Sequence, residues 1–321
     1  MIEATTPDAF GALVPATPRL FGVPAHAAEE RGRIVALGVP FDLGNGIAAG
    51  GRAAPAAIRA ASIAADASCA HPFRTLRDAG DVRIDPGEGA EAVARRVAEV
   101  CRGLVARGAR PLIVGGDHSV TFGAVSGLDA VGELIVVWID AHTDIDQKTL
   151  ATGLNHKNAA RRTAMLPHVA RVVVVGHRGY TREDETRCLP GRLAVVPGHA
   201  LRRRGVDEVH EALDRVDPDL PLYLSIDIDV LCPSYAPGTA APVPDGLAPA
   251  EVAGLLEALA ARRGIVGCDL VEVNPAFDDA GRTLDVACGL LARAVGALAV
   301  HDTRSPAPRA ATPHDEPMTT P

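Results

Sequence analysis

The sequence is poor in aromatic side chains, in methionine and in uninterrupted apolar runs. Aromatic residues make up 3% of its 321 residues, with one tryptophan and three methionines. No stretch reaches the roughly 18 apolar residues that a membrane-spanning helix requires, and the first residues carry no basic segment followed by an apolar one. These absences argue against a membrane protein and against a secretory leader. Positive charge is also scarce: 32 Lys and Arg against 40 Asp and Glu give a formal charge of −8. A nucleic-acid partner, which favours a basic surface, is therefore not expected, whereas a cationic substrate is compatible with this balance. The six cysteines (Cys69, Cys101, Cys188, Cys232, Cys268 and Cys288) form no CxxC pair. They read as reduced thiols, so the expected protein is soluble and cytoplasmic.

What is present is apolar bulk, 47% of the chain, in short β-branched runs separated by Ala- and Leu-rich segments. The runs are 34–39, 111–114, 134–139, 172–175, 193–196, 222–226 and 265–273. Brief runs that are apolar throughout predict strands buried on both faces. Helices are expected over 54–65, 89–106, 207–216, 249–262 and 283–300; Pro249 suits a first helical turn. The alternation predicts a three-layer α/β/α domain with a mainly parallel sheet of about eight strands. That domain spans 31–304, between an arm at 1–30 and a Pro-, Ala- and Thr-rich tail at 305–321 that is expected to be disordered.

Three strand candidates end in polar clusters. In Asp140-Ala141-His142-Thr143-Asp144, alternate residues of an extended segment face one way, which groups two carboxylates and an imidazole. Asp227-Ile228-Asp229 sets two carboxylates around an apolar residue; like charges so close raise each other's pKa unless a cation holds them. By itself this pair also fits two helix-capping acids. Gly115-Gly116-Asp117-His118-Ser119 turns sharply on its glycines and offers His118; by itself it also fits a Gly-rich turn. All three lie at carboxyl ends of strands, where open α/β sheets bind ligands. Together they supply four carboxylates and two imidazoles with no thiolate, a donor set for Mn²⁺ or a similar divalent ion. Two such ions carry +4 against −4 from the carboxylates.

These motifs resemble the ureohydrolases: arginases, agmatinases, guanidinobutyrases and formimidoylglutamases. That family shares GGDHS, a DAHxD segment, and an SxDxD segment leading to an APGTGTP-like loop, here Gly115–Ser119, Asp140–Asp144 and Ser225–Pro242. The likeness extends over Gly38–Asp42, over Gly50, Arg52, Pro55, Ile58 and Arg59, and over Asp269–Pro275, so it covers roughly 33–300. The resemblance implies an arginase-like fold. It implies two Mn²⁺ (Ni²⁺ or Co²⁺ also fit) on His118, Asp140, His142, Asp144, Asp227 and Asp229. It further implies a hydroxide bridging the ions that attacks a guanidino carbon and yields urea and an amine. Glu272 matches the glutamate that pairs with the guanidinium, His156 a histidine used in proton transfer, and Asp229 the acid that passes a proton to the leaving amine. Assembly as a homo-trimer or hexamer is likewise implied.

The chain departs from the family pattern at Lys157 after His156, at Cys232-Pro233, at Ala240-Ala241 before Pro242, at Asp245-Gly246 and at Ala54-Pro55. Leu154 stands where an arginase would hold a polar contact to an amino-acid head group. The stretch beginning Gly38-Val39-Pro40-Phe41-Asp42 is closer to agmatinases. The expected activity is therefore agmatinase-like hydrolysis of a small guanidino compound. The alternatives are a guanidino-acid amidinohydrolase, with Lys157 drawing in the carboxylate, a formimidoylglutamase-type hydrolase, and a catalytically silent ligand-binding member of the fold.

Overall fold

The computed structural model describes residues 9–27, 33–64, 72–178 and 189–300. The proposed tail, with Cys69 and Cys188, lies outside these residues. Among the described residues nine strands form one sheet: β1 (Leu13–Val14), β2 (Ile34–Gly38), β3 (Leu76–Val82), β4 (Arg110–Val114), β5 (Leu134–Ile139), β6 (Val169–His177), β7 (Leu193–Pro197), β8 (Leu222–Asp227) and β9 (Ile265–Val271). Their order is β1-β3-β2-β4-β9-β8-β5-β6-β7. Every pairing is parallel except β1 with β3.

The α-helices of the described residues are α1 (Ala54–Ala64), α2 (Ala90–Val105), α3 (Val120–Ser126), α4 (Ala159–Ala164), α5 (Gly198–Arg204), α6 (Asp207–Leu213), α7 (Pro249–Arg262) and α8 (Arg282–Ala299). They cover both faces of the sheet. In β5, Ile135, Val137 and Ile139 join the core under α1 and α5–α8, while Leu134, Val136 and Trp138 join the core under α2–α4. Strands buried on both sides must be apolar at every position, which is why the short runs are legible as strands. Among the described residues no helix is long and apolar enough to cross a membrane.

Two strands have no apolar run to announce them. β3 reads Leu-Arg-Asp-Ala-Gly-Asp-Val with alternating burial, and its acids are absorbed by one side chain: Arg59 donates to Asp78 at 2.8 Å and also reaches Asp81 and the Gly80 carbonyl. β1 contributes two residues from the N-terminal segment, whose Leu20 is fully buried. The expected strand 265–273 stops at Val271 because Glu272 adopts a φ of 63°.

The sheet register sets up the site. Val114 pairs with Leu270, Leu270 with Ile226, and Ile226 with Ile139. These four residues form one row across β4, β9, β8 and β5. Gly115, Val271, Asp227 and Asp140 therefore follow at one level along one edge, with all four chains running the same way.

Candidate metal centre and active site

Just beyond that row the three polar clusters meet. His118 Nδ1 lies 3.2 Å from Asp140 Oδ2, 3.2 Å from Asp144 Oδ2 and 3.1 Å from Asp227 Oδ2. His142 Nδ1 lies 2.9 Å from Asp229 Oδ2 and 3.5 Å from Asp140 Oδ1. Two groups of side chains, His118–Asp140–Asp144 and Asp140–His142–Asp229, each bring their ligand atoms within 4.8 Å of one another. Asp140 belongs to both, one oxygen toward each imidazole. All six side chains singled out in the sequence as ligands are thus in one cluster, and its oxygen-and-imidazole chemistry fits a pair of divalent cations.

The electrostatics point the same way. Burial first, and then the neighbouring acids, push Asp227 well above the usual carboxylate range and Asp229 up to about 6. Burial and Asp140 likewise raise Asp144. Burial works against a charged His142, but its bonds to Asp140 and Asp229 outweigh that and push it up to about 12. Burial also opposes ionisation of Asp140, yet His118 and His142 hold it below its ordinary value. Such a cluster of buried acids is costly unless positive charge compensates it.

Further side chains fix the cluster. Trp138 Nε1 donates to Asp140 Oδ2 at 2.9 Å, and its ring stacks on His118 with centroids 4.0 Å apart. His118 Nε2 lies 2.8 Å from Ser225 Oγ. That hydroxyl donates to Asp269 Oδ1 at 2.6 Å, and Asp269 Oδ2 accepts from the Tyr223 hydroxyl at 2.7 Å. Because Ser225 spends its proton on Asp269, it accepts from His118 Nε2–H, which leaves Nδ1 to face the carboxylates and to serve as the ligand atom were a cation bound. Arg178 donates to the carbonyls of Asp229, Val230, Leu231, Val243 and Pro244, tying the loop after β8 together. Gly116 is required where it sits, since a Cβ there would lie 1.8 Å from the Phe41 carbonyl oxygen.

Glu272 closes the site. Its left-handed backbone is held by its own N–H donating to the Gly116 carbonyl at 2.8 Å, a strained geometry of the kind that clusters at functional sites. Its Oε1 accepts from the His118 backbone N–H at 2.8 Å and its Oε2 from Asn45 Nδ2 at 2.9 Å. Each oxygen keeps acceptor capacity for another donor. His156 Nδ1 lies 3.6 Å from Glu272 Oε1, and His156 Nε2 is buried without a hydrogen-bond partner.

Glu272, His156, His142, Asp144, Asp227 and Asp229 all line one cleft of about 300 Å³. Lys157 is exposed at its rim, and Ala241 is also in the wall. The other departures sit elsewhere: Ala54 is buried at the start of α1, Cys232 is half-buried beyond the cleft, and Asp245 is exposed. Trp138, Asn45, Arg178 and the pairing of Ser225 with Asp269 were not assigned roles from the sequence. Trp138 is hidden inside an apolar run, while Asn45 and Arg178 lie in irregular segments with no pattern to read.

The family model described as Arginase family matches residues 32–296. The chain belongs to the arginase family. It is 34% identical over 282 residues to the mitochondrial agmatinase of Gallus gallus, covering 84% of this chain and 82% of that protein. It is 32% identical over 302 residues to the mitochondrial guanidino acid hydrolase of Homo sapiens, covering 86% and 81%. Among solved structures it superposes on the proclavaminate amidino hydrolase of Streptomyces clavuligerus with a TM-score of 0.79 and 30% identity, covering 89% of this chain and 98% of that one. As an arginase-family member it is a hydrolase of C–N bonds in linear amidines. The family relation and the α/β/α fold agree with what the motifs implied.

Proposed function

We propose that this arginase-family enzyme hydrolyses a guanidino compound to urea and an amine. In this reading two divalent cations, Mn²⁺ by preference, are held by His118, Asp140, His142, Asp144, Asp227 and Asp229. Bound there, the cations acidify water and so supply a nucleophile at neutral pH. The observation that carries the proposal is Asp140, whose two oxygens belong to two adjoining ligand groups at the foot of a cleft that also holds Glu272.

The protein's own groups do the rest. Glu272 accepts guanidinium N–H bonds on its remaining lone pairs, which fixes the plane of the target carbon. Its existing bonds to the His118 N–H and to Asn45 keep that carboxylate from turning. Asp229, in the role the family resemblance implies, passes a proton to the leaving amine. His156, in the cleft wall with Nδ1 3.6 Å from Glu272 Oε1, carries protons within the cleft.

We place the enzyme in the cytoplasm on its lack of CxxC pairs, and as a homo-trimer or hexamer on the family resemblance. The test of the function is urea release from a panel of guanidino compounds by purified protein loaded with Mn²⁺ or Ni²⁺. Urea is expected with at least one of them. Metal-loaded protein that releases none from any guanidino compound, or that releases formamide from a formimino compound instead, would overturn the proposal.

A further inference from the structure

The floor and the rim of the cleft carry opposite charge. The floor is built from buried carboxylates. At the rim stand Lys148 and Lys157, both exposed and both lining the cleft. Neither ammonium is engaged in an ion pair among the described residues. Asp146 also lines this rim, with one carboxylate oxygen and its backbone N–H committed locally. Its Oδ1 accepts from the Lys148 backbone N–H at 2.8 Å, and its own N–H donates to the Lys157 carbonyl at 2.8 Å. Those two bonds bind the lysine-bearing turns to each other through Asp146. The rim sums to +2 − 1 = +1 over Lys148, Lys157 and Asp146.

The two turns are built, not loose. Asn155 Oδ1 accepts from the Lys157 N–H at 3.1 Å. Asn158 Nδ2 donates to Thr149 Oγ1 at 3.1 Å and to the Gly153 carbonyl at 2.9 Å. The His156 N–H donates to the Gly44 carbonyl at 3.2 Å, so the same stretch that carries Lys157 is fastened to the Asn45 loop. Ile47, 52% exposed, lines the cleft beside this rim; the turn bearing it accepts its shape from Asn45 Oδ1, which takes the Ile47 N–H at 2.8 Å. Asn45 thus links the carboxylate at the floor to the apolar wall.

Resting on the guanidino-hydrolase reading above, we propose that the substrate is an ω-guanidino carboxylic acid, with its guanidinium on Glu272, its methylenes along Ile47 and its carboxylate between Lys148 and Lys157. A substrate ending in an ammonium, such as agmatine, meets two like charges at that point. A carboxylate there gains charge-assisted hydrogen bonds, and both contacts weaken as salt screens them.

The test compares kcat/KM for 3-guanidinopropionate and 4-guanidinobutyrate with that for agmatine on Mn²⁺-loaded protein. At least one acid is expected to exceed agmatine. The Lys148→Ala/Lys157→Ala double variant is expected to lower the acid-to-agmatine ratio about tenfold, mostly through KM. The Lys148→Glu/Lys157→Glu variant is expected to turn the preference toward agmatine. Because both side chains are exposed, metal content and melting temperature should stay as in the parent protein, which separates a specificity effect from misfolding. Added salt should depress turnover of the acid and raise that of agmatine. Agmatine preferred by the parent protein, or an acid-to-agmatine ratio unmoved by the double variants, overturns this proposal while leaving the function itself standing. Urea from no guanidino compound at all overturns the function instead.

Discussion

The floor and the rim of the cleft differ in how they are built. Every floor ligand comes from the end of a parallel strand or from the five residues after it, and the sheet register aligns those ends at one level. The acids are mutually fixed, and His118 is clamped between Trp138 and Ser225. The rim is made of short turns between β5 and α4, held by asparagine side chains and carrying exposed lysines. Chemistry common to a family can reside on the rigid part, and choice of substrate on the part that tolerates change. If that division is correct, substitutions in the floor should abolish the reaction and those in the rim should redirect it.

The largest expected effect is Asp140→Asn, which removes a carboxylate shared by both ligand groups. Urea production should fall by about 10³-fold or more, on the scale of losing a principal electrostatic stabiliser. Near-parental turnover in a folded Asp140→Asn protein would erase the distinction between floor and rim. A smaller loss is expected one layer below. Ser225→Ala cuts His118 Nε2 off from Asp269 and should weaken metal binding about 10- to 100-fold. A titration of metal against each protein reads this directly, and unchanged affinity would show that the buried relay does not orient His118.

The mildest perturbation is pH. Asp227 and Asp144 are raised in the folded protein and Asp229 is raised to about 6, against about 3.9 for an unfolded aspartate. Between those values the folded chain binds more protons than the unfolded one. The metal-free protein therefore loses stability as pH rises through that window. A divalent cation replaces those protons, so its stabilising effect should grow from about pH 5 to about pH 8. At free metal about 1,000-fold above Kd the gain approaches about 4 kcal/mol. Melting curves with and without Mn²⁺ check this; a metal-induced shift that shrinks toward alkaline pH would contradict it.

Much of this was legible from the sequence because the central strands are buried on both faces. Leu134–Ile139 and Pro249–Arg262 are observed with the bounds their patterns predict. The ligands were legible because acids and histidines directly after an apolar run have few structural uses. β3 was not legible: its polarity is cancelled by Arg59, a partner 19 to 22 residues away that no local pattern announces. The short helices α3, α4 and α5, of 7, 6 and 7 residues, hold too few turns to display a period. Glu272 was recognised by its motif, but its backbone twist and its bond to Asn45, 227 residues distant, follow only from the assembled fold. The rim was half legible. Lys157 stood out as a departure, whereas Lys148 acquires meaning only once Asp146 bridges the two turns.

The most direct test is the metal content of the purified chain after saturation with Mn²⁺ and removal of unbound ion. The account predicts two ions per chain, reduced in Asp140→Asn and unchanged in the lysine variants. One ion or none in a protein that still releases urea at full rate would contradict it.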